Sequence, residues 1–204
     1  MGLDLCATCA GDLPWMPDAC PRCALPHAPG QAVCACELLP SWLDGVFAAF
    51  LYMAPLDAWL PRLKFHGDLA LGDLMASLMA EGLASAPRPS CLIPVPLHTP
   101  RLRARGYNQA VELARPLAVQ MGLPLQSRLL RRRKQTLAQS ELGLEARTAN
   151  MADAFEVRAG ASLPRHVALV DDVMTTGATL QEAASTLKDA GVARVDAWVC
   201  ARVP

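Results

Sequence analysis

One segment, VALVDDVMTTGATL at residues 167–180, constrains the fold of this chain more than any other feature. Its first four residues form an apolar run, which is typical of a strand buried on both faces of a sheet. Asp171 and Asp172 follow at the carboxyl end of that strand, and helical spacing then runs over residues 179–190 before Gly191. A buried strand, a polar turn and a helix in this order predict an α/β fold, in which ligands bind at this edge of the sheet.

The turn after the two aspartates has the composition of a phosphate-binding loop. Thr175, Thr176, Gly177, Ala178 and Thr179 bring hydroxyls and backbone N–H groups to a helix N-terminus, whose dipole favours an anion. Glycine allows a phosphate to approach the backbone closely, while carboxylates several ångströms away accept hydrogen bonds from vicinal sugar hydroxyls. The pattern favours a ribose 5-phosphate. The alternative is a pair of solvated aspartates beside an ordinary helix cap.

Strand and helix patterns alternate along the rest of the chain, as they do in a doubly wound parallel sheet. A proline-flanked, arginine-rich loop is expected between the second strand and the helix that follows it. The predicted strands are residues 45–53, 91–95, 125–130, 167–170 and 195–203, and the predicted helices are residues 56–65, 69–83, 108–121, 140–150 and 179–190.

The first 40 residues contain a cysteine-rich segment that is punctuated by proline and glycine and lacks helical or strand periodicity. Cys-x-x-Cys pairs at 6–9 and 20–23 are typical of two zinc knuckles, which offer four thiolates to a tetrahedral ion. We expect one structural Zn²⁺ bound by four of six thiols, with the set of four left open. The alternative is a group of reduced structural cysteines without metal. The six candidates are Cys6, Cys9, Cys20, Cys23, Cys34 and Cys36.

Composition excludes two other classes of protein. A hydrophobic fraction of 52% with 19% charged residues is not that of a disordered chain. The longest apolar stretch, residues 46–56, is far shorter than the roughly 20 residues that span a bilayer, so no membrane insertion is expected. The N-terminal residues show no signal-peptide pattern, and we therefore expect a cytoplasmic, reducing location. The two isolated cysteines, Cys91 and Cys200, lie in apolar stretches and are expected to be buried.

Positive charge is concentrated in residues 99–134. This segment holds nine of the chain's 19 Lys and Arg residues and a single acidic residue, Glu112, although the whole chain has a net charge of zero. Such a division predicts an anionic partner there, either a phosphate-bearing metabolite or a nucleic-acid strand. The run at residues 131–134, RRRK, could neutralise the phosphates of single-stranded DNA, but no aromatic residue is interleaved with it for base stacking. The alternative is a solvated surface.

Four segments of the sequence resemble the ComF family, in the order in which that family has them. The last of them also resembles the 5-phosphoribosyl-1-pyrophosphate motif of the type I phosphoribosyltransferases. Together the segments extend over nearly the whole chain. They are KFHGD (64–68), IPVPLHTPRLRARGYNQA (93–110), QTLAQSELGLEARTANMADAF (135–155) and DDVMTTGAT (171–179).

The resemblance implies a type I phosphoribosyltransferase-like doubly wound parallel sheet over residues 41–204, behind a zinc-ribbon-like module over residues 1–40. It implies that Asp171 and Asp172 are catalytic residues that hold the ribose 2- and 3-hydroxyls, and that residues 175–179 hold the 5-phosphate. Mg²⁺ then bridges the diphosphate and ribose oxygens and needs few protein ligands. The loop of residues 96–108 faces the pyrophosphate, where guanidinium groups bind phosphate oxygens well. The residues carried over in that loop are Arg103, Arg105, Gly106 and Asn108.

The reaction implied by the resemblance is displacement at the anomeric carbon of 5-phosphoribosyl-1-pyrophosphate by an unidentified acceptor, through an oxocarbenium-like transition state. Purine-using relatives often carry an aspartate where this chain has Thr175, which cannot act as a general base at neutral pH, so ordinary purine salvage is not expected. The alternative is a non-catalytic accessory protein of DNA uptake, which binds single-stranded DNA and uses the pocket as a sensor beside other uptake proteins. Gln139, Arg147 and Asn150 either close over the site or lie on a solvated helix.

Overall fold

The computed structural model describes residues 5–27, 34, 36, 41–133 and 154–204. Its four-stranded main sheet is parallel throughout, and a separate two-stranded ribbon is antiparallel. In chain order the elements are α1 (Ala7–Gly11), β1 (Gly45–Leu51), α2 (Leu56–Phe65), α3 (Leu69–Gly82), β2 (Cys91–Pro94), α4 (Thr99–Arg105), α5 (Gln109–Met121), β3 (Leu130–Arg132), β4 (Phe155–Val157), β5 (His166–Met174), α6 (Ala178–Asp189) and β6 (Arg194–Arg202).

The main sheet has the order β1-β6-β5-β2 and is covered on both faces. Because successive strand residues point to opposite faces, Val167 and Leu169 pack with α6, while Ala168 and Val170 pack with α2, α3 and α5. Both central strands are therefore buried on both sides, which explains their nearly continuous apolar sequences. This arrangement confirms the predicted α/β class and its parallel, doubly wound sheet.

The N-terminal segment lies along the outer edge of β1. Trp15 forms an antiparallel bridge with Phe50, their ring centroids are 4.6 Å apart, and the backbone N–H of Met16 donates to the carbonyl of Ala49 at 2.9 Å. In a second contact, the N–H of Val46 donates to the carbonyl of Pro21 at 2.8 Å. These bonds satisfy backbone groups on the open edge of the sheet.

Most predicted elements are confirmed within one or two residues, and three expectations are wrong. The arginine-rich stretch contains helix α4, because Pro100 suits the first turn of a helix and Gly106, at φ 86°, ends it. Strand β5 continues to Met174, because β6 extends to Arg202 and pairs with it there. The predicted strand at 125–130 is reduced to a bridge at Leu125, and β3 begins only at residue 130.

The predicted helix at 140–150, which includes Arg147 and Asn150, lies outside the described residues, as do Gln139 and Lys134. Within the described part of the chain, no helix is long and apolar enough to cross a membrane.

Candidate functional site

The two aspartates lie where strand β2 ends and strand β5 continues. The last bond between these strands joins the N–H of Val95 to the carbonyl of Val170 at 2.9 Å, so β5 has no partner on that side from Asp171 onward among the described residues. The carboxyl edge of the sheet is thus open beside Asp171, which is half-buried, while the side chain of Asp172 is only 5% exposed. The geometry places both residues at the edge that the sequence predicted.

The two carboxylates have different surroundings. Asp172 Oδ2 lies 3.4 Å from Lys64 Nζ, at the end of α2, and makes no hydrogen bond within the described structure. Asp171 Oδ1 accepts the backbone N–H of Asp172 at 2.9 Å. Loss of solvation and the adjacent Asp172 charge raise the pKa of Asp171 well above its ordinary value, and Lys64 only partly offsets this. A carboxyl group whose pKa is raised and a carboxylate oxygen without a hydrogen bond among the described residues suit a ligand that brings a cation or hydroxyl donors to this edge.

The loop after β5 depends on Gly177. This residue has φ 77°, and a Cβ built on it would lie 2.5 Å from Met174 Cε. It is also the N-cap of α6 and, having no side chain, it offers no side-chain acceptor to the N–H groups in the first turn of that helix. The backbone N of Ala178 lies 3.4 Å from Thr176 Oγ1, which is a long hydrogen bond. The positive end of this twelve-residue helix is therefore weakly capped, and it begins at the same sheet edge as Asp171.

The segment expected to face pyrophosphate is built around Asn108. Its Oδ1 accepts the N–H of Ala110 at 3.1 Å, and its Nδ2 donates to the carbonyl of Val95 at 2.9 Å. Asn108 thereby caps α5 and anchors it to the end of β2. Arg105 donates to Gln109 Oε1 at 2.5 Å and Arg103 is exposed, so the two arginines differ in how firmly they are held.

Tyr107 and Lys64 are site residues to which the sequence analysis assigned no role. The Tyr107 hydroxyl donates to the carbonyl of Leu63 and accepts the N–H of Gly67 at 3.2 Å, joining the end of α2 to the α4–α5 connection. The Arg105 guanidinium lies 5.2 Å from the ring centroid of Phe65 and adds to this junction. Lys64 lies in the segment KFHGD and Tyr107 in RGYNQA. Both segments resemble the family, and this resemblance is the signal that could have identified the two residues.

A cavity of about 570 Å³ lies between the α4–α5 connection and the β3–β4 ribbon. Its lining includes Tyr107 and the basic side chains of Arg128, Arg131 and Arg132. Burial and the charge of Arg101 lower the pKa of Arg132, whereas Asp171 raises it, so the base of the ribbon is within electrostatic range of the acidic edge. The basic run is thus divided: Arg132 stacks on Phe155 at 5.4 Å, while its neighbours on either side are exposed.

Four of the six N-terminal cysteines form one group. The Sγ atoms of Cys20, Cys23, Cys34 and Cys36 all lie within 4.8 Å of one another, with 3.5 Å between Cys20 and Cys36 and between Cys23 and Cys34. Four thiolates at about 2.3 Å from a tetrahedral ion are about 3.8 Å apart, so this cysteine centre fits a metal ion. A backbone hydrogen bond from Cys36 lowers the pKa of Cys34, whereas burial raises the pKa of Cys23 and of Cys36.

The group differs from the one that the two Cys-x-x-Cys pairs suggested. Cys6 and Cys9 are exposed and lie outside the cysteine centre. The backbone N–H of Cys9 donates to Cys6 Sγ at 3.5 Å. The pair at 20–23 is completed instead by the shorter pair at 34–36. Cys91 and Cys200 are buried in the sheet, as expected.

Arg202, at the end of β6, connects the cysteine centre with the loop after β5. Its side chain is buried, with 7% exposure; Nε donates to the carbonyl of Cys23 at 2.9 Å, and Nη1 donates to the carbonyls of Met174 and Thr175 at 3.1 and 2.6 Å. Burial lowers the pKa of this guanidinium, and negative charge on Cys23 and Cys34 raises it. A lone arginine in an apolar strand gives no sequence signal for this role.

The fold and the site define a class: an α/β protein whose parallel sheet carries an acidic strand end and a glycine-dependent loop, joined to a four-cysteine centre. No family model matches the chain. It is 32% identical over 205 residues to Competence protein F of Haemophilus influenzae, covering 97% of this chain and 84% of that protein. It is 31% identical to the DNA utilization protein YhgH of Salmonella typhimurium, covering 97% and 90%. The chain belongs to the ComF family.

More distant likenesses include a second competence protein and two solved structures. Competence protein ComFC of Streptococcus pneumoniae is 28% identical, covering 76% of this chain and 67% of that protein. An orotate phosphoribosyltransferase from Aeropyrum pernix has a TM-score of 0.40 at 23% identity, covering 66% of this chain and 61% of that one. An adenine phosphoribosyltransferase from Leishmania tarentolae has a TM-score of 0.39 at 17% identity, covering 66% and 58%.

Proposed function

We propose that this chain binds 5-phosphoribosyl-1-pyrophosphate with Mg²⁺ at the carboxyl edge of its main sheet and transfers the phosphoribosyl group to an acceptor. One observation carries the proposal: the open strand end at Asp171 and the weakly capped start of α6 lie on the same strand-to-helix turn. This turn requires a glycine at position 177. Carboxylates at one end and N–H donors at the other suit a sugar phosphate.

The residues take separate roles in this proposal. Asp171 and Asp172 accept the ribose hydroxyls, and Lys64 Nζ, 3.4 Å from Asp172 Oδ2, lies beside them at the acidic edge. Residues 175–179 hold the 5-phosphate through their N–H groups and hydroxyls. Arg103, Arg105 and Gly106 face the diphosphate, and Asn108 positions that segment through its bonds to α5 and β2.

The proposed chemistry breaks the bond between the anomeric carbon and the diphosphate oxygen and forms a bond from that carbon to the acceptor. The diphosphate departs with the bonding electrons, and the acceptor loses its proton. The arginines neutralise the growing charge of the leaving group, and a magnesium ion bound with the substrate supplies further positive charge there. Thr175 provides no general base at neutral pH, so the acceptor is one that does not need deprotonation by that residue.

Calorimetric titration of the full chain with magnesium phosphoribosyl pyrophosphate tests the binding step. Replacing both carboxylates, Asp171→Asn with Asp172→Asn, removes two charge-assisted hydrogen-bond acceptors worth about 1.5–3 kcal/mol each, so affinity should fall by roughly a hundredfold or more. Asp189→Asn, at the exposed far end of α6, is the matched control and should leave affinity unchanged. Equal affinity in the double variant and the wild type refutes the site. A screen for pyrophosphate release then identifies the acceptor.

The cysteine centre holds zinc in the same proposal, since four thiolates at tetrahedral separations suit that ion. Elemental analysis of protein purified without added metal should give about one zinc per chain, and a content near zero contradicts it. Zinc-bound thiolates persist in a reducing compartment, so a cytoplasmic location belongs to this proposal as well.

A second candidate function is a non-catalytic role in DNA uptake, in which the pocket acts as a ligand sensor beside other uptake proteins. It is favoured by the competence and DNA-utilization names of the relatives, and by the exposed Arg128 and Arg131 on the cavity wall. Phosphate neutralisation by these residues would make single-stranded DNA binding strongly dependent on salt. DNA binding without pyrophosphate release for any acceptor supports this candidate over the enzyme.

A further inference from the structure

Arg202 is a buried cation that no carboxylate within the described residues neutralises. Its partners are backbone carbonyls. Nε donates to that of Cys23 in the cysteine centre, and Nη1 donates to those of Met174 and Thr175 at the start of the loop after β5. Nη1 also donates to the carbonyl of Val203, the next residue in the chain. Burying a guanidinium is costly unless nearby negative charge compensates for it. Four thiolates around one divalent ion retain two negative charges, so the cysteine centre is the source of that compensation.

The same contacts fix the geometry of two distant segments. Nε of Arg202 sets the position of the Cys23 carbonyl, and Nη1 of the same rigid fork sets the Met174 and Thr175 carbonyls. The N–H groups that follow those carbonyls begin the loop proposed to hold the 5-phosphate. Any change that moves Cys23 therefore moves Arg202, and with it the beginning of this loop.

We propose that Arg202 couples the cysteine centre to the loop of residues 175–179, so that a metal ion in the centre and an anionic ligand at the loop strengthen each other's binding. Arg202 acts as a positioning residue, since it contacts the loop and not the ligand. The coupling rests on the proposed function, because it requires a ligand at the loop. It adds that the cysteine centre tunes ligand affinity as well as stabilising the N-terminal segment.

Linkage gives the coupling a quantitative form. A preorganised loop binds with less loss of entropy, and couplings between two sites are commonly about 5- to 150-fold. We expect the metal-free full chain to bind magnesium phosphoribosyl pyrophosphate about tenfold more weakly than the zinc-loaded chain. Because the coupling is reciprocal, the ligand should raise zinc affinity by the same factor, measured by competition with a chromophoric chelator. A zinc site that is not coupled to the loop would give a factor of one in both measurements.

Arg202→Lys tests the role of the guanidinium itself. Lysine keeps the charge but lacks the planar fork that reaches carbonyls in both segments. We therefore expect the variant to retain zinc, while the effect of zinc on ligand affinity and the effect of the ligand on zinc affinity both fall to a factor of about one. Arg194→Lys, at the opposite end of β6, is the matched control, since Arg194 pairs with Asp196 and lies far from the cysteine centre. It should keep the full coupling.

Hydrogen exchange provides a measurement that does not require metal removal. In the zinc-loaded full chain, Arg202→Lys should increase amide exchange over residues 174–180, whereas Arg194→Lys should not. Equal affinity for the ligand in zinc-loaded and metal-free wild type overturns the coupling and leaves the proposed function standing. Absence of phosphoribosyl pyrophosphate binding in either metal state rejects the proposed function, and the coupling with it.

Discussion

Replacing Gly177 by alanine should destabilise the protein and weaken ligand binding at the same time. At φ 77°, an L residue costs about 1–2 kcal/mol more than glycine. The new Cβ would also lie 2.5 Å from the Cε of Met174, a buried side chain, and displacing that flexible end adds on the order of 1 kcal/mol. We therefore expect the free energy of unfolding to fall by about 2–3 kcal/mol, which lowers Tm by about 4–12 °C.

Gly160 offers a matched control for this substitution. It has φ 71° with nothing within 4 Å of a built Cβ, so Gly160→Ala carries only the conformational cost of about 1–2 kcal/mol. Urea unfolding separates the two costs, and shortening Met174 to alanine in the Gly177→Ala background should remove the steric part of the effect on the loop. Calorimetry should show weaker binding of magnesium phosphoribosyl pyrophosphate for Gly177→Ala alone. Equal unfolding free energies for the two alanine variants, with unchanged ligand affinity, would refute this reasoning.

Three further predictions concern proton linkage, metal and nucleic acid. Because the pKa of Asp171 is raised in the folded protein, stability should fall as pH rises from its ordinary value toward the raised one, and Asp171→Asn should be more stable than the wild type at neutral pH in urea unfolding. Ligand affinity should rise with pH over the same range, and lose that dependence in the variant. Cys23→Ser should abolish zinc content by elemental analysis, whereas Cys9→Ser should leave it unchanged. Replacing residues 131–134 by alanine should flatten the salt dependence of single-stranded DNA affinity. The slope of log affinity against log salt concentration should fall by about 0.7 for each phosphate that the chain no longer neutralises. Affinity for phosphoribosyl pyrophosphate should stay nearly intact, and weaker binding of this small ligand would instead assign the run to the pocket.

Elements with strong local signals could be predicted from the sequence. Helix α2 has its predicted bounds, and α6 follows the apolar strand and ends before Gly191 as the pattern indicated. The length of β5 could not be predicted, because it depends on pairing with the last residues of β6 more than 20 positions away. The flanking prolines predict a loop where helix α4 lies, because proline breaks a helix interior but is favoured in a first helical turn, as at Pro100.

The positions of the candidate site residues could be predicted from the sequence, and the contacts between distant segments could not. The motif at 171–179 located the acidic edge and the loop, because both lie on one continuous segment. The grouping of Cys23 with Cys34 could not be derived from spacing, since it depends on how the intervening chain folds back. The bonds of Tyr107 and Arg202 join segments more than 40 and 170 residues apart through single side chains, which no local pattern records.

In the proposed function, the strand end at Asp171 and the loop at Gly177 form a site for a phosphoribosyl ligand. The most direct test is one calorimetric titration of the zinc-loaded full chain with magnesium phosphoribosyl pyrophosphate, repeated in buffers of different ionisation enthalpy. We predict binding of one ligand per chain with net proton release at pH values between the ordinary and the raised pKa of Asp171, because the ligand requires the ionised form of that carboxyl group. The absence of binding heat, or binding that persists unchanged in the Asp171→Asn, Asp172→Asn double variant, would contradict the account.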